Sequence, residues 1–183
     1  MNESKKQIRR LALLTRKRLS AEQVRERSSL ICRRVVQTEP FRQAETVCVY
    51  IPIRNEVDTA GIIEACRTAG KRTAAPRICE GEMEFYYFSS LEDLKEGSFG
   101  ILEPAGEERV QSKALIVMPG AVFDRERHRI GYGGGYYDRY LQQHPEHETI
   151  AIAYECQILD EIPFEEHDII PRRLITENRE YPS

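Results

Sequence analysis

Between residues 131 and 135 the chain reads Gly-Tyr-Gly-Gly-Gly, four glycines in five positions. No other stretch constrains the fold as much. Glycine admits positive φ and lets the backbone come close to another group. The run follows an apolar segment, Ala114 to Val117, that reads as a buried strand. It precedes a segment that reads as a helix starting near Tyr136 and carrying Asp138, Tyr140 and Leu141. Strand, glycine turn and helix N-terminus in that order present a concave set of N–H groups suited to an anion. Asp138 falls in the first turn of the helix, where a carboxylate is placed to hold magnesium against phosphates. Arg125, Arg127, His128 and Arg129 put positive charge ahead of the turn. The same residues have a plainer reading, a ligand-free loop with Asp138 favouring the helix dipole. The spacing is not Gly-x-x-x-x-Gly-Lys-Ser/Thr, and Tyr136 stands where Gly-x-Gly-x-x-Gly needs its third glycine. Motif logic therefore stops at a phosphate site of no standard class.

The rest of the chain alternates strands and helices. Residues 3–18 read as a helix with Ile8, Leu11, Ala12 and Leu19 near one face and basic residues, Arg16 among them, over the remainder. Ser20-Ala-Glu-Gln23 is a capping box for a second helix, striped by Val24, Ser28, Ile31 and Val35. Pro40 marks a break. Thr46 to Ile51 is β-branched and apolar, a strand closed by Pro52. A polar loop, Arg54 to Asp58, follows, with Asp58 as N-cap of a helix through Ile62, Ile63 and Cys66 to Gly70. Lys71 to Ala75 reads as a short strand closed by Pro76-Arg77, and Met83 to Phe88 as another. Gly97 to Pro104 looks irregular. Thr149 to Ala153 is a further buried strand, Ile158 to Ile162 a turn, and Leu174 to Thr176 a final short strand. This order predicts an α/β fold, an open, mainly parallel sheet with helices on both faces. Ligand groups in such sheets gather outside strand C-termini. Residues 54–58, 76–77 and 119–138, with Asp168 as a fourth contributor, are therefore expected to share one crevice.

The 183 residues fit a single α/β domain with an N-terminal helical arm at about residues 1–38. The arm is basic: residues 1–34 hold eleven Lys or Arg against three Glu. The plain reading is a solvated amphipathic hairpin; the functional one has one or two of these bases reaching an anion site. The whole chain carries a net charge of −3, which argues against a general nucleic-acid binder. No apolar run approaches membrane-spanning length, and Arg16, Lys17 and Arg18 interrupt the only N-terminal apolar stretch. A cytoplasmic monomer without nucleic-acid or membrane partners is expected. The five cysteines include no C-x-x-C pair, so neither zinc nor a disulfide framework is expected, and Cys48 and Cys66 read as core residues.

Met118-Pro-Gly-Ala-Val-Phe-Asp124 and Arg129-Ile-Gly-Tyr-Gly-Gly-Gly-Tyr-Tyr-Asp138-Arg-Tyr-Leu together resemble the signature of the 5-formyltetrahydrofolate cyclo-ligase family. The resemblance extends, in order, to Lys5-Lys-Gln-Ile-Arg9, Val49 to Asp58, Lys71 to Arg77 and His167-Asp168. It implies a fold similar to the ribose-5-phosphate isomerase and CoA-transferase group. It implies ATP- and magnesium-dependent closure of 5-formyltetrahydrofolate to 5,10-methenyltetrahydrofolate, with release of ADP and phosphate. Carried over residue by residue, it implies ATP contacts from Lys5, Lys6, Gln7, Ile8 and Arg9. It implies further ATP contacts from Arg129, Ile130, Gly131, Tyr132, Gly133, Gly134, Gly135, Tyr136 and Tyr137. Ile53, Glu56 and Asp58 would border folate, as would Tyr132 through Tyr136. Asp138 and Asp168 would hold magnesium, Arg129, Tyr136 and Asp138 would serve catalysis, and Arg77 is a candidate for either ligand. Some family members carry basic residues where this chain has Tyr132 and Gly134, so phosphate charge here falls more to Arg125, Arg127, Arg129 and the arm. A non-catalytic nucleotide or folate sensor is the alternative; such a chain is expected to have lost Asp138 or Asp168, and both are present. A nucleic-acid binder using the basic arm is a third reading, and the acidic balance of the whole chain counts against it.

Overall fold

Burial on both faces of four short apolar strands organises the molecule. The computed structural model describes residues 3–182. In chain order, helices α1 (Glu3–Lys17), α2 (Ala21–Gln37) and α3 (Glu39–Gln43) lead into strand β1 (Thr46–Val49) and helix α4 (Ala60–Thr68). A hairpin of β2 (Arg72–Cys79) and β3 (Glu82–Phe88) follows, then a smaller one of β4 (Leu94–Glu96) and β5 (Leu102–Pro104). Strand β6 (Leu115–Met118) leads to β7 (Val122–Asp124), β8 (Arg129–Ile130) and helix α5 (Tyr136–Gln143). Strands β9 (Glu148–Ile152), β10 (Ile158–Leu159), β11 (Arg173–Ile175) and β12 (Glu180–Tyr181) complete the chain. The main sheet has the order β12-β11-β9-β6-β1-β2-β3. Its five inner strands are parallel, and β3 and β12 are antiparallel edges. The mainly parallel α/β expectation holds.

Alternate residues of each inner strand point to opposite faces. Val47, Val49, Leu115, Val117, Ile150 and Ile152 pack with Ile31, Val35 and Ile62 from α2 and α4. Cys48, Ile116, Met118 and Ala151 pack on the other side with Tyr140 and Leu141 of α5. Cys48 and Cys66 are free and fully buried, as core residues. A third cluster joins Ala12 of α1, with Ile8 and Leu13 beside it, to Ala121, Val122, Ile130 and Ile162. This cluster docks the arm onto the small sheet β10-β7-β8, beside the glycine turn.

Local signals held where the partners are close in sequence. Ser20 and Gln23 form the capping box, with Gln23 N donating to Ser20 Oγ at 3.2 Å and Ser20 N to Gln23 Oε1 at 2.9 Å. Gly70 follows α4 at φ 67°, and α5 starts at Tyr136. Other expectations need correction. Asp58 is not the N-cap of α4; Thr59 is, and Asp58 Oδ1 accepts from Ala60 N two residues ahead. Pro76 does not close β2, because pairing with β1 ends at Ala74 and its missing N–H breaks no bond on that side. Pro40 opens α3, with Thr38 ending α2 and capping α3. Residues 94–104 form a hairpin, Ile158–Leu159 a strand, and β12 follows β11. In α1 the inward face is Ile8, Ala12 and Arg16, while Leu11 is 65% exposed. Spacing by four selects that face, and Arg16, 2% exposed, is tolerated inside because long-range partners await it.

His147 links the sheet to α5. Its Nδ1 accepts from Ala114 N at 3.0 Å, so the neutral ring carries its proton on Nε2, which faces Tyr140 Oη at 3.1 Å. Burial holds its pKa below the ordinary value of 6.5. The unfolded chain therefore binds the proton first, so stability is full above that value and falls as pH drops below it. His147→Gln should remove this component, on the order of 1 kcal/mol, when urea midpoints of parent and variant are compared at about pH 7.5 and about pH 5.5. Parallel midpoints across that range would show that the ring does not control acid stability.

Candidate active site

The glycine turn is held open by what its missing side chains would strike. A Cβ on Gly134 would sit 2.5 Å from the Tyr136 ring. Gly133 and Gly135 have φ of 104° and 65°, the left-handed side that glycine tolerates. Asp138 lies in the first turn of α5 directly beyond. Its Oδ1 accepts from Arg129 Nη2 at 2.8 Å and from Ile169 N at 3.1 Å. Arg129 is buried, and its Nε has no hydrogen-bond partner among the described residues. The next residue back from Ile169 is Asp168, so the two carboxylates come from one neighbourhood although 30 positions separate them in sequence.

The arm supplies the facing cations. Lys5 Nζ donates to Asp168 Oδ2 at 2.7 Å and lies 3.3 Å from Glu165 Oε1. Burial of Lys5 lowers its pKa, but the two carboxylates more than offset this and leave it raised. Burial raises Asp168, and hydrogen bonds from Lys5 and Glu165 N more than offset that, leaving it lowered. Arg9 Nε donates to Gly131 O at 2.7 Å, tying α1 to the turn. Ile8 packs into the docking cluster, and Lys6 and Gln7 are exposed on α1.

A second cluster joins Ile53, Glu56 and Tyr132, named from the sequence, to Arg16, which the sequence did not single out. Tyr132 Oη donates to Glu56 Oε1 and accepts from Arg16 Nη1 at 2.7 Å. Arg16 Nη2 donates to Arg54 O at 3.2 Å, and Glu56 Oε2 accepts from Ile53 N at 2.8 Å. Glu56 is buried, and desolvation leaves its pKa raised despite the help of Tyr132, Ile53 N and Arg16. Tyr137 Oη is buried in the same region without a partner among the described residues, and burial raises its pKa, with the charge of Glu56 adding to the effect. The signal for Arg16 was its place four residues beyond Ala12 and eight beyond Ile8.

The structure thus links Lys5, Arg9, Ile53, Glu56, the turn 129–137, Asp138 and Asp168 through a continuous set of contacts. It does not bring in the rest of the expected basic clamp. Arg125 pairs with Asp160 on the surface at 2.9 Å. Arg127 donates to Pro171 O and Arg172 O. His128 Nδ1 meets Asp124 Oδ2 at 2.8 Å, because Asp124 closes the turn between β7 and β8. Arg77 turns to Tyr86, with its guanidinium carbon 3.5 Å from the ring centroid, and donates to Pro104 O and Gly106 O. Asp58 faces α4 and α2, its carboxylate on Ala60 N and its backbone N on Ser28 Oγ. Among the described residues, His144, Glu146 and His147 form the one group of three or more metal-type side chains, and both ring nitrogens of His147 are already engaged.

The profile of the 5-formyltetrahydrofolate cyclo-ligase family matches residues 1–177. A 5-formyltetrahydrofolate cyclo-ligase of Mus musculus is 30% identical over 186 residues, covering 92% of this chain and 91% of the mouse protein. The Escherichia coli (strain K12) protein of the same name is 30% identical over 173 residues, covering 90% and 95%. The NMR structure of Aquifex aeolicus 5,10-methenyltetrahydrofolate synthetase superposes with a TM-score of 0.86 at 31% identity, covering 97% of this chain and 91% of that one. A Mycoplasma pneumoniae 5,10-methenyltetrahydrofolate synthetase, 24% identical, shares the fold with a TM-score of 0.72 over 94% of this chain and 98% of that one. Among the described residues no helix is long and apolar enough to cross a membrane.

Proposed function

The chain belongs to the 5-formyltetrahydrofolate cyclo-ligase family, and we propose that it closes 5-formyltetrahydrofolate to 5,10-methenyltetrahydrofolate at the expense of ATP. The observation that carries this reading is the junction of arm, glycine turn and α5. Lys5, Arg9, Arg129, Asp138 and Asp168 meet there.

A formamide oxygen is a very poor leaving group. Transfer of the γ-phosphoryl of ATP to that oxygen makes an imidate phosphate; N10 of the folate then attacks the formyl carbon and phosphate departs. Such a transfer needs alignment and charge neutralisation more than a protein nucleophile. The cations of Lys5, Arg9 and Arg129, with the N–H groups of the glycine turn, meet that need. Two carboxylates are hard oxygen donors of the kind magnesium takes, so Asp138 and Asp168 would hold the ion. When bound, magnesium supplies charge neutralisation between phosphates. The ammonium of Lys5 and the guanidinium of Arg129 neutralise the same carboxylates before the nucleotide arrives. Lys6, Gln7 and Ile8 complete the arm segment beside ATP, and residues 129–137 the opposing turn. Ile53 and Glu56 border the folate side, with Tyr132 and Tyr136 between the two substrates, while Asp58 is turned to α2 and α4. Glu56 is a buried acceptor beside Tyr132, suited to N–H donors of a pterin ring.

The direct test is absorbance. Purified protein mixed with 5-formyltetrahydrofolate and MgATP should develop the near-ultraviolet band of the conjugated methenyl product, and omission of ATP or of magnesium should abolish it. A folded protein that binds both substrates but develops no band would instead be a sensor. Lys5→Ala should raise the KM for ATP roughly tenfold, the worth of one charge-assisted contact, with the KM for folate little changed. An equal rise in both would assign Lys5 to docking of the arm.

A further inference from the structure

Between β10 and β11, residues 160–172 form neither helix nor strand. Irregular loops of about that length are uncommon in compact domains and gather at functional sites. This one carries Asp168, and side chains from other elements fix its path at three places. At its entry Ile162 is buried in the cluster that docks α1, and Ile162 N donates to Asp124 Oδ2 at 3.3 Å. Towards its exit Ile169 N donates to Asp138 Oδ1 at 3.1 Å, and Gln142 Nε2 donates to His167 O at 2.8 Å, both partners lying on α5. Between these points the loop is held by a ring. Phe164, although 53% exposed, stacks on His128 with centroids 3.7 Å apart and planes at 6°. The imidazole is fixed in its turn. Its Nδ1 donates to Asp124 Oδ2 at 2.8 Å, the same oxygen that takes Ile162 N. Asp124 is 1% exposed, and its other oxygen accepts from Glu126 N at 3.0 Å and His128 N at 2.9 Å. One buried carboxylate with four donors therefore sets both the plane of His128 and the start of the loop.

We infer that His128 and Phe164 are positioning residues that act through the loop on the Asp168 carboxylate. Glu165 follows Phe164 directly. Glu165 N donates to Asp168 Oδ2 at 2.8 Å, and Asp168 N donates to Glu165 O at 2.9 Å. The stacked ring is thus one residue from the turn that aims Asp168. Loss of the stack frees the backbone between Ile162 and Glu165 and lets that turn drift. The Asp138 carboxylate stays where Arg129 and Ile169 N hold it. Drift therefore separates two oxygen donors that a magnesium ion needs close together. An exposed phenyl ring and a histidine that the glycine turn does not use gain a shared task in this way.

This inference rests on the metal role given to Asp168 in the cyclo-ligase reading, and the two fail separately. Manganese stands in for magnesium, and binding of MnADP is followed by electron paramagnetic resonance, which needs no turnover. Phe164→Ala should weaken MnADP binding about three- to tenfold, the worth of one aromatic pair, and raise the KM for MgATP by a similar factor. Binding of ADP without metal, the KM for 5-formyltetrahydrofolate and the melting temperature should be little changed. Phe164→Tyr should restore the parental values. His128→Asn keeps a donor for Asp124 but removes the stack, so it should match Phe164→Ala, and the double variant should be no weaker than either single one. MnADP binding unmoved by Phe164→Ala, an equal loss with metal-free ADP, or additive losses in the double variant would each overturn the assignment. A parent protein whose MnADP binding answers to the stack but which turns over no folate would instead overturn the cyclo-ligase reading.

Discussion

Asp138→Asn is expected to lower kcat by about 10²- to 10³-fold, the usual cost of losing one preorganised electrostatic group, with the fold intact. Asparagine keeps the shape and an oxygen for Ile169 N, so the contact at 3.1 Å survives in kind. What it loses is charge. Arg129, buried and with its Nε already unpartnered, loses its ion pair at 2.8 Å. The proposed magnesium site loses one of two carboxylates. The measurement is kcat at saturating MgATP and folate, with circular dichroism and thermal melting as controls. A kcat within about twofold of the parent in excess magnesium would remove Asp138 from the proposed chemistry.

Arg16→Met is expected to destabilise the fold by about 3–5 kcal/mol, because breaking a buried ionic cluster leaves the other charge uncompensated. Arg16 is 2% exposed and Glu56 is 6% exposed. The guanidinium donates to Tyr132 Oη and Arg54 O and lies 4.0 Å from Glu56. Methionine fills the volume of the stem but supplies none of these bonds. Two features make the mechanism testable. Adding Glu56→Gln should recover a large part of the loss, since the stranded charge is then gone. Glu56 also has a raised pKa, so between its ordinary value of 4.5 and the folded value the native chain holds more protons than the unfolded one. Its contribution therefore worsens as pH rises through that window, and the deficit of Arg16→Met should shrink on acidification towards about pH 4.5. Urea denaturation of the two variants gives both answers. A single variant within about 1 kcal/mol of the parent, or a double variant no more stable than the single, would contradict the role given to this cluster.

Together these residues form a contact network assembled from distant pieces. Arg9 and Arg16 reach the glycine turn from one helix, while Lys5 of that helix reaches the loop that carries Asp168. The helix docks through Ile8 and Ala12 on the small sheet. These contacts tie the arm both to the glycine turn and to the loop of Asp168.

What the sequence determined by itself depends on partners a few residues apart. β-branched runs marked the inner strands, the Ser20 capping box marked the start of α2, and the glycine run marked a turn followed by a helix carrying Asp138. The order of strands and helices sufficed for a mainly parallel sheet, and the resemblance carried by the glycine signature together with residues 5–9, 49–58, 71–77 and 167–168 sufficed for the family. Each of these is a local hydrogen-bond pattern, a steric preference or a short periodicity, and each survives tertiary assembly unchanged. The tertiary structure alone decided which charges face the site. Arg125, Arg127 and His128 precede the turn in sequence but are captured by Asp160, two backbone carbonyls and Asp124. Arg77 is taken by Tyr86 and the loop beyond β5. Arg16, one of many bases in the arm, is drawn inside because Tyr132, Arg54 and Glu56 satisfy it there. A long cationic side chain goes where its hydrogen bonds are best met at the least desolvation cost, and that balance is set by residues tens of positions away.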